Sequence, residues 1–377
     1  MIDRGEFAAW LRLLESPGVG RETARALLSH FGSPQRVLSA DTVRLSELAG
    51  PAVATALASE PKDYTTRLAA AWGWLQGGAQ RAVITLGDTA YPDQLLHSPD
   101  PPLLLYVHGA LPLLKAESVA VVGSRRPTAQ GLDHAREFAQ ALSDGGFVVI
   151  SGLALGIDAA AHEGALAGAA GTIAVVGTGL DRIYPSRHRA LAQRIVERGV
   201  MLSEFAPGTP ALPENFPQRN RIIAGLSRGT VVVEAALRSG SLITARLASE
   251  AGREVYAVPG SIRSEQSRGC HALIRQGAAL VESAQEVIDD LRGMRGMHAS
   301  VASPAASPAA AAAAVGSTSA PADPLLAALG GDPQSLDALM ARTGWPASEL
   351  SARLLDLELQ GHVARLPGGL YQRRWQG

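Results

Sequence analysis

The stretch SVAVVGSRRPTAQG, residues 118–131, places an apolar β-branched run, a glycine and two adjacent arginines ahead of a helix-forming segment. That order predicts a buried strand, a tight turn and a helix start. The backbone N–H groups of the turn and the side chains of Arg125 and Arg126 would then face one spot above a sheet, where phosphate binds well. The stretch alone leaves open whether that phosphate belongs to a nucleotide cofactor or to a nucleic-acid backbone.

The same succession of apolar runs and helix-forming segments continues on both sides of this stretch. From about residue 81 to 292, short β-branched runs alternate with segments of helical period; the runs are VAVVG, FVVISG, TIAVVGTG, VMLSEF, TVVVEAA and EVYAVPG. This alternation is typical of an open, mostly parallel α/β sheet. Because the runs are apolar throughout, helices should cover both faces of the sheet.

The flanking regions differ from this core. Residues 1–75 show helical periods and Gly/Pro breaks, and within them SPGVGRETARALLSHFGSPQRVL (16–38) resembles a helix-hairpin-helix element. There Arg21 and Arg25 would share a helix face, either touching a DNA backbone or serving a helical adaptor. The core would span 76–295.

The C-terminal region begins with an Ala/Ser/Pro tract at 296–322, which predicts a flexible linker that gives the last domain more freedom than a docked module would have. Residues 323–377 then read as three helices followed by a Gly-Gly hairpin. That order is typical of a winged-helix domain.

The composition excludes several classes of protein. With 377 residues and 46% hydrophobic content, the chain can form two or three globular domains. Its net charge of −1 requires any nucleic-acid site to be a local patch. The single cysteine, Cys270, excludes internal disulfides and cysteine-clustered zinc. Neither a signal peptide nor an apolar run of about 20 residues is present, so we expect a cytoplasmic protein without a membrane span.

Four predicted strand ends carry small or charged residues where an open α/β sheet holds its ligand. The candidates are Gly123, Ser124, Arg125 and Arg126 after the first strand; Ser151, Gly152 and Gly156 after the second; Phe216, Arg219, Asn220 and Arg221 in FPQRNR; and Ser239, Gly240, Ser241 and Thr244 in RSGSLIT. Because carboxyl ends of parallel strands meet at one edge, these residues should line a single crevice.

The predicted crevice is electropositive. Helix N-termini would add partial positive charges to those of the arginines. Phe216 offers a flat face on which an unpaired base could stack, although it could equally be a core residue. Nearby carboxylates, Asp158, Glu204 and Glu234, are expected to brace arginines or cap helices. This combination suits single-stranded nucleic acid better than a duplex, whose bases are already stacked.

The chain is similar to the DprA/Smf family of bacterial DNA-processing proteins from about residue 91 to 290. The matching segments are YPDQLLHSPDPPLLLYVHG, VAVVGSRRPTAQG, ISGLALGIDAAAHEGAL, GCHALIRQGAALV, and the run from FPQRNR to YAVPG. The outer regions match that family in type and position, as a helical SAM-like module and a winged helix.

The resemblance implies a Rossmann-like core that binds single-stranded DNA without sequence preference, protects incoming strands and forms a homodimer. It also implies loading of the RecA recombinase during natural transformation, without catalysis or a cofactor. Carried over by position, the DNA pocket contains Gly123, Ser124, Arg125, Phe216, Arg219, Asn220 and Arg221. The helix with His271, Leu273 and Ile274 resembles the family's self-association surface.

The last domain departs from a DNA-reading winged helix. Its presumed recognition helix, 348–361, carries Glu349, Asp356 and Glu358 against Arg353. Because phosphates repel carboxylates, we expect this helix not to read duplex sequence and to contact protein instead. The wing, with Arg365, Arg373 and Arg374, could still touch a DNA backbone.

Two enzymatic alternatives fit less well. Lysine-decarboxylase-like phosphoribohydrolases carry a Pro-Gly-Gly turn that is missing from SRGTVVVEAA, in which Glu234 also falls too late. A dinucleotide-dependent oxidoreductase would need the spacing GxGxxG and an acidic residue after the next strand. GSRRPT and FVVISG supply neither.

Overall fold

The computed structural model describes residues 2–299, 324–329 and 333–374. Its N-terminal part is helical, as predicted, with an Asp side chain capping the first helix and a glycine turn entering the second. The helices are α1 (Arg4–Glu15), α2 (Arg21–Phe31), α3 (Pro34–Leu38), α4 (Thr42–Ala49), α5 (Pro51–Ala58) and α6 (Tyr64–Gln76).

The central region alternates strands with helices. The strands are β1 (Arg81–Thr85), β2 (Leu104–Gly109), β3 (Ser118–Val122), β4 (Val148–Ser151), β5 (Thr172–Val175), β6 (Val200–Ser203), β7 (Gly229–Val232), β8 (Glu254–Ala257) and β9 (Ala279–Leu280). The helices are α7 (Asp93–Leu96), α8 (Ala129–Asp144), α9 (Ile157–Ala167), α10 (Arg189–Arg198), α11 (Asn215–Leu226), α12 (Gly240–Glu250), α13 (Arg268–Arg275) and α14 (Ala284–Ala299). The six predicted strands, β3 to β8, are confirmed; β1, β2 and β9 were not predicted.

The nine strands form one sheet in the order β1-β2-β6-β5-β4-β3-β7-β8-β9. The strands from β6 to β9 run parallel, whereas β2 pairs antiparallel with both β1 and β6. After β3, the chain first adds β4, β5 and β6 on one side of β3. It then adds β7, β8 and β9 on the other side. A ligand crevice is therefore expected at the carboxyl ends of β3 and β7, where the winding direction reverses.

Alternate residues of the sheet enter two separate apolar cores. Val119 and Val121 of β3 pack on one face with residues of α8, α9 and α14, while Ala120 and Val122 pack on the other with residues of α11 and α13. The prediction that helices cover both faces of the sheet is thus confirmed. Both faces need cover because successive apolar side chains of a strand point to opposite faces.

The N-terminal helices share a core with the sheet. Phe7 and Trp74 both meet the ring of Tyr106 on β2 edge-on, at centroid distances of 6.3 and 6.0 Å. The apolar cluster around them also contains Ala174 and Met201 from β5 and β6. The helical module is therefore packed against the central region and not tethered loosely to it.

The C-terminal region forms the predicted winged helix. Its elements are α15 (Pro324–Leu329), β10 (Gln334–Ser335), α16 (Leu336–Thr343), α17 (Ala347–Leu359), β11 (Val363–Leu366) and β12 (Leu370–Arg373). The strand order is β10-β12-β11, and all pairs are antiparallel. Helix α14 extends to Ala299 and so includes the first residues of the predicted linker at 296–322. The rest of that linker, from residue 300, lies outside the described residues.

The winged helix is docked on the core, contrary to our expectation of more freedom than a docked module has. Gln372 donates to Gln130 at 3.1 Å, and the guanidinium of Arg374 makes two contacts of 3.2 Å with Asp133. Both partners lie on α8, so Arg374 is occupied by protein here. Within the described ranges, no helix is both long and apolar enough to cross a membrane.

Candidate functional site

A cleft of about 680 Å³ opens at the carboxyl ends of β3 and β7. All four predicted segments reach its wall: three contribute residues that were predicted for the site, and the fourth, 151–162, contributes Ala154 and Asp158. The predicted residues that line it are Gly123, Ser124, Arg125, Arg126, Phe216, Arg219, Asn220, Ser239, Gly240, Ser241 and Thr244. The crevice expected from the strand ends therefore exists as one continuous site.

The arginine turn between β3 and α8 is held by its neighbours. Ser124 accepts hydrogen bonds at its side chain from the N–H of Arg126 (3.0 Å) and at its carbonyl from the N–H of Ile157 (3.1 Å). A Cβ at Gly123 would lie 2.7 Å from Ile157, so the close approach of α9 requires glycine. Arg125 and Arg126 are exposed, and within the described part of the chain neither is paired with a carboxylate.

Arg219 forms the floor of the cleft. Its side chain is 5% exposed; Nη1 donates to the carbonyl of Val175 at 3.0 Å, and Nη2 lies 4.0 Å from Oδ2 of Asp158. Burial lowers the pKa of Arg219 to about 10, which leaves it cationic at neutral pH. Its Nε has no hydrogen-bond partner among the described residues. A buried cation with an unused donor in the wall of a cleft favours an anionic ligand.

Asp158 holds the loop beneath Arg219. Its carboxylate accepts from the N–H groups of Gly152 (3.2 Å) and Ala154 (3.3 Å) at the start of α9. Burial raises the pKa of Asp158, while the charge of Arg219 opposes that change. Of the two predicted roles, bracing an arginine or capping a helix, Asp158 has the first: Arg219 lies 4.0 Å away, whereas no side chain caps the start of α9.

Three predicted residues shape the cleft without lining it. Ser151 is buried and donates to the carbonyl of Val121 at 2.7 Å. A Cβ at Gly152 would lie 1.5 Å from Nη1 of Arg219, so only glycine admits the guanidinium. Gly156 has φ of +80°, and a Cβ there would approach the carbonyl of Ser124 to 2.3 Å.

Aromatic rings form one side of the cleft. Phe216 is half-buried, and the Cζ of Arg125 lies 5.8 Å from its ring centroid. The ring of Tyr184 lies 5.5 Å from that of Phe216, tilted by 43°, and is 54% exposed. Phe216 is thus a wall residue and not solely a core residue. We missed Tyr184, although it follows the strand TIAVVGTG closely enough for that strand end to have suggested it.

The N-terminus of α12 forms the opposite side. Ser239 caps this helix by accepting from the N–H of Ser241 at 3.3 Å, while Thr244 is nearly fully buried one turn later. The unpaired N–H groups of the first turn give this side a partial positive charge. Arg238, which the sequence analysis did not select, also lines the cleft.

Arg221 does not join the cleft, contrary to our prediction. Although it lies two residues from Arg219, its Nε contacts Asp100 at 3.2 Å and its Nη2 pairs with both carboxylate oxygens of Glu204. The side chain is 11% exposed. Glu204 therefore braces an arginine as predicted, but on the far side of α11.

Glu234 is also directed away from the cleft. Its carboxylate accepts from the N–H of Thr128 at 2.9 Å and from the hydroxyl of Thr128 at 2.5 Å, which caps the start of α8. A Cβ at Gly131 would lie 2.4 Å from this carboxyl group. The prediction of a capping role is confirmed.

The predicted self-association helix is α13, and only part of it faces outward. Leu273 is 9% exposed and packs in the core below, so it does not contribute to an exposed surface of this helix. Ile274 is half-buried, and His271 contacts the carbonyl of Gly260 at 3.0 Å. Beside α13, Leu280 on the end strand β9 is 48% exposed.

Metal and thiol chemistry find no support in the part of the chain that the structure describes. No group of three His, Cys, Asp or Glu side chains there could hold a metal ion. Cys270 is buried, and its burial raises the thiol pKa to about 12. It is a packed residue of the core.

Comparison with known families gives matches in all three regions of the chain. Residues 82–292 match the family described as DNA recombination-mediator protein A. Residues 304–369 match the DprA winged helix domain, and residues 11–60 match the SAM-like helix-hairpin-helix tandem.

Individual relatives agree with these matches. Protein Smf of Escherichia coli K12 is 39% identical over 97% of this chain and 95% of its own length. The solved DNA processing protein A of Streptococcus pneumoniae is 38% identical, with a TM-score of 0.65 over 77% of this chain and 98% of its own. The Helicobacter pylori protein, whose structure is described in terms of its single-stranded DNA binding mode, is 32% identical, with a TM-score of 0.52 over 57% of this chain and 97% of its own.

Proposed function

Since this chain belongs to the DprA/Smf family of DNA recombination mediators, we propose that its cleft binds single-stranded DNA without reading sequence. The observation that carries the proposal is the set of four arginines, Arg125, Arg126, Arg219 and Arg238, that line the cleft. Arg125 and Arg126 are exposed and free of carboxylate partners in the described residues, and Arg219 adds a buried charge below them. Backbone phosphates match this arrangement.

The aromatic wall favours a single strand over a duplex. The rings of Phe216 and Tyr184 offer faces to unpaired bases, and base–aromatic stacking tolerates any base. A duplex has no free base face to place there. The single-stranded DNA binding mode named for the Helicobacter pylori relative supports the same reading.

We further propose that the cleft binds without catalysis. The one carboxylate in its described lining is Asp158, which is held by two backbone N–H groups and Arg219. A phosphoribohydrolase would require Glu234 in the cleft, and that side chain is held by Thr128 outside it. No observation favours the enzymatic alternative.

In the cell, this binding would protect incoming single strands and hand them to the RecA recombinase during natural transformation. The family description as recombination mediators supports this step. It is tested by whether the full chain accelerates RecA assembly on single strands already covered by a single-strand-binding protein.

The binding proposal predicts a preference that titration of the full chain can measure. An oligonucleotide should bind at least about tenfold more tightly as a single strand than in a duplex of the same sequence, and salt should weaken the complex. Fluorescence anisotropy at several salt concentrations measures both effects. Equal affinity for the duplex, or affinity that salt leaves unchanged, would contradict the proposal.

We also propose that the protein is a homodimer formed through α13 and the neighbouring end strand β9. An end strand presents unpaired backbone groups that a second strand can satisfy. Exposed Leu280 on β9 and half-buried Ile274 on α13 supply the apolar contact.

The variant Leu280→Asp should convert the dimer into a monomer, because a carboxylate would be buried without a partner at the interface. Light scattering after size exclusion measures the mass. Val43→Glu provides the control, since Val43 is 64% exposed on α4 in the N-terminal module. A dimer that survives Leu280→Asp would place the interface elsewhere, and a monomeric parent protein would refute the dimer.

A further inference from the structure

Helix α11 has two polar faces with different surroundings. Phe216, Arg219 and Asn220 line the cleft. On the other face, Gln218 accepts directly from Arg21 of the N-terminal helical module, and Arg221 pairs with Asp100 and Glu204, which Arg21 also contacts. The helix that carries the cleft's aromatic wall and buried cation is therefore in direct contact with a second domain.

Asp100 is the centre of this contact. Its Oδ2 lies 2.8 Å from Nε of Arg21 and 3.2 Å from Nε of Arg221, and its Oδ1 accepts from Nη1 of Arg25 at 2.5 Å. Its backbone carbonyl also accepts from Nη1 of Arg221 at 2.5 Å. Burial would raise the pKa of Asp100, but the three arginines hold it below its ordinary value. One carboxylate thus joins α2 to α11.

Glu204, which directly follows β6, makes a second link. It pairs with Arg221 and lies 3.8 Å from Nη1 of Arg21, and the same Nη1 donates to the side chain of Gln218 at 3.2 Å. The side chains of Arg221 and Glu204 are 11% and 14% exposed. Arg21, Arg25 and Asp100 form the outer part of the network and are 34%, 26% and 30% exposed. Removing one outer arginine therefore weakens the attachment of Asp100 to α2 without leaving that carboxylate unpaired.

We propose that the N-terminal helical module braces the cleft, with Arg21 and Arg25 acting as positioning residues for α11 and not as contacts to DNA. The proposal rests on the proposed function, since it assigns a role in single-strand binding. Arg21 and Arg25 are the arginines of the helix-hairpin-helix element, and their guanidinium groups are directed at Asp100, Glu204 and Gln218. They hold the helix that presents Phe216 and Arg219.

The test is the full-length variant Arg25→Ala with a fluorescein-labelled oligothymidylate. We expect its affinity to fall about three- to tenfold, as for other residues that act through a coupled network. The slope of log Kd against log salt should stay at the parent value, because no phosphate contact is lost. Loss of a direct phosphate contact would reduce that slope by about 0.7.

Two variants serve as controls. Arg67→Ala removes an arginine of the same module that pairs with Glu15 at 3.1 Å and does not touch α11; its affinity should equal that of the parent. Arg25→Lys keeps a cation beside Asp100 and should recover most of the lost affinity. An equal loss of affinity in Arg67→Ala would show that both substitutions act by destabilising the module in general.

The outcomes also separate the brace from the function it serves. Unchanged affinity in Arg25→Ala refutes the brace, and a lowered salt slope in that variant shows direct DNA contact instead. If the parent protein itself fails to bind the single strand, the proposed function is wrong. Binding that is weakened by Arg125→Ala but not by Arg25→Ala refutes the brace alone.

Discussion

The variant Arg219→Ala should lose single-strand binding almost completely, with affinity reduced by about a hundredfold or more. Two effects combine. The cleft loses the guanidinium that forms its floor, and Asp158 keeps its place without the cation that now faces it at 4.0 Å. The floor would then lose its positive charge, and phosphates would no longer be attracted to it. Anisotropy titration at low salt measures the loss.

The same change should destabilise the fold, because breaking a buried ion pair costs about 3–5 kcal/mol. The double variant Arg219→Ala, Asp158→Asn separates the two effects. It removes the orphaned charge and keeps an acceptor for Gly152 and Ala154, so urea unfolding should show regained stability. Binding should remain lost, since the donors of Arg219 are still missing. Recovery of binding in the double variant would show that Arg219 acts only on the fold.

The variant Arg125→Ala should weaken single-strand binding about tenfold and lower the slope of log Kd against log salt by about 0.7. Arg125 is exposed at the mouth of the cleft and is not needed for packing, so the fold should be unaffected. Its guanidinium lies over the ring of Phe216, where it can contact a phosphate and one face of a stacked base at once.

The controls for Arg125 separate charge from shape. Arg125→Lys should retain the salt slope and lose part of the affinity. An ammonium group can neither stack on an aromatic face nor form the two parallel hydrogen bonds that a guanidinium makes with a phosphate. Arg246→Ala removes an exposed arginine of α12 that pairs with Glu250 outside the cleft, and it should bind as the parent does. Arg125→Ala with an unchanged slope would contradict a phosphate contact at this residue.

The sheet and its arginine turn could be predicted because their signals are local. A β-branched run, a glycine and a capped helix follow each other directly at β3, and apolar runs alternate with helical segments from there to β8. The strands β1 and β2 gave no comparable signal. They pair antiparallel without an intervening crossover helix and lie about 20 residues apart, so the alternation that revealed the other strands is missing there.

The two arginines of FPQRNR show why membership in the cleft could not be predicted residue by residue. We interpreted the segment as a strand end, but it lies within α11. At about 100° per residue, side chains two positions apart on a helix point in nearly opposite directions. Arg219 therefore enters the cleft while Arg221 turns toward Asp100. Leu273 and Ile274 on α13 diverge for the same reason.

By itself, the sequence determined the parallel sheet, the three kinds of domain and the sheet edge at which the cleft forms, because each follows from spacing within a few residues. Only the tertiary structure decided how the domains act on that site. The docking of Arg374 on Asp133 and of Arg25 on Asp100 joins residues far apart in the chain. Such charge pairs depend on how separately folded surfaces meet, and no local pattern encodes that.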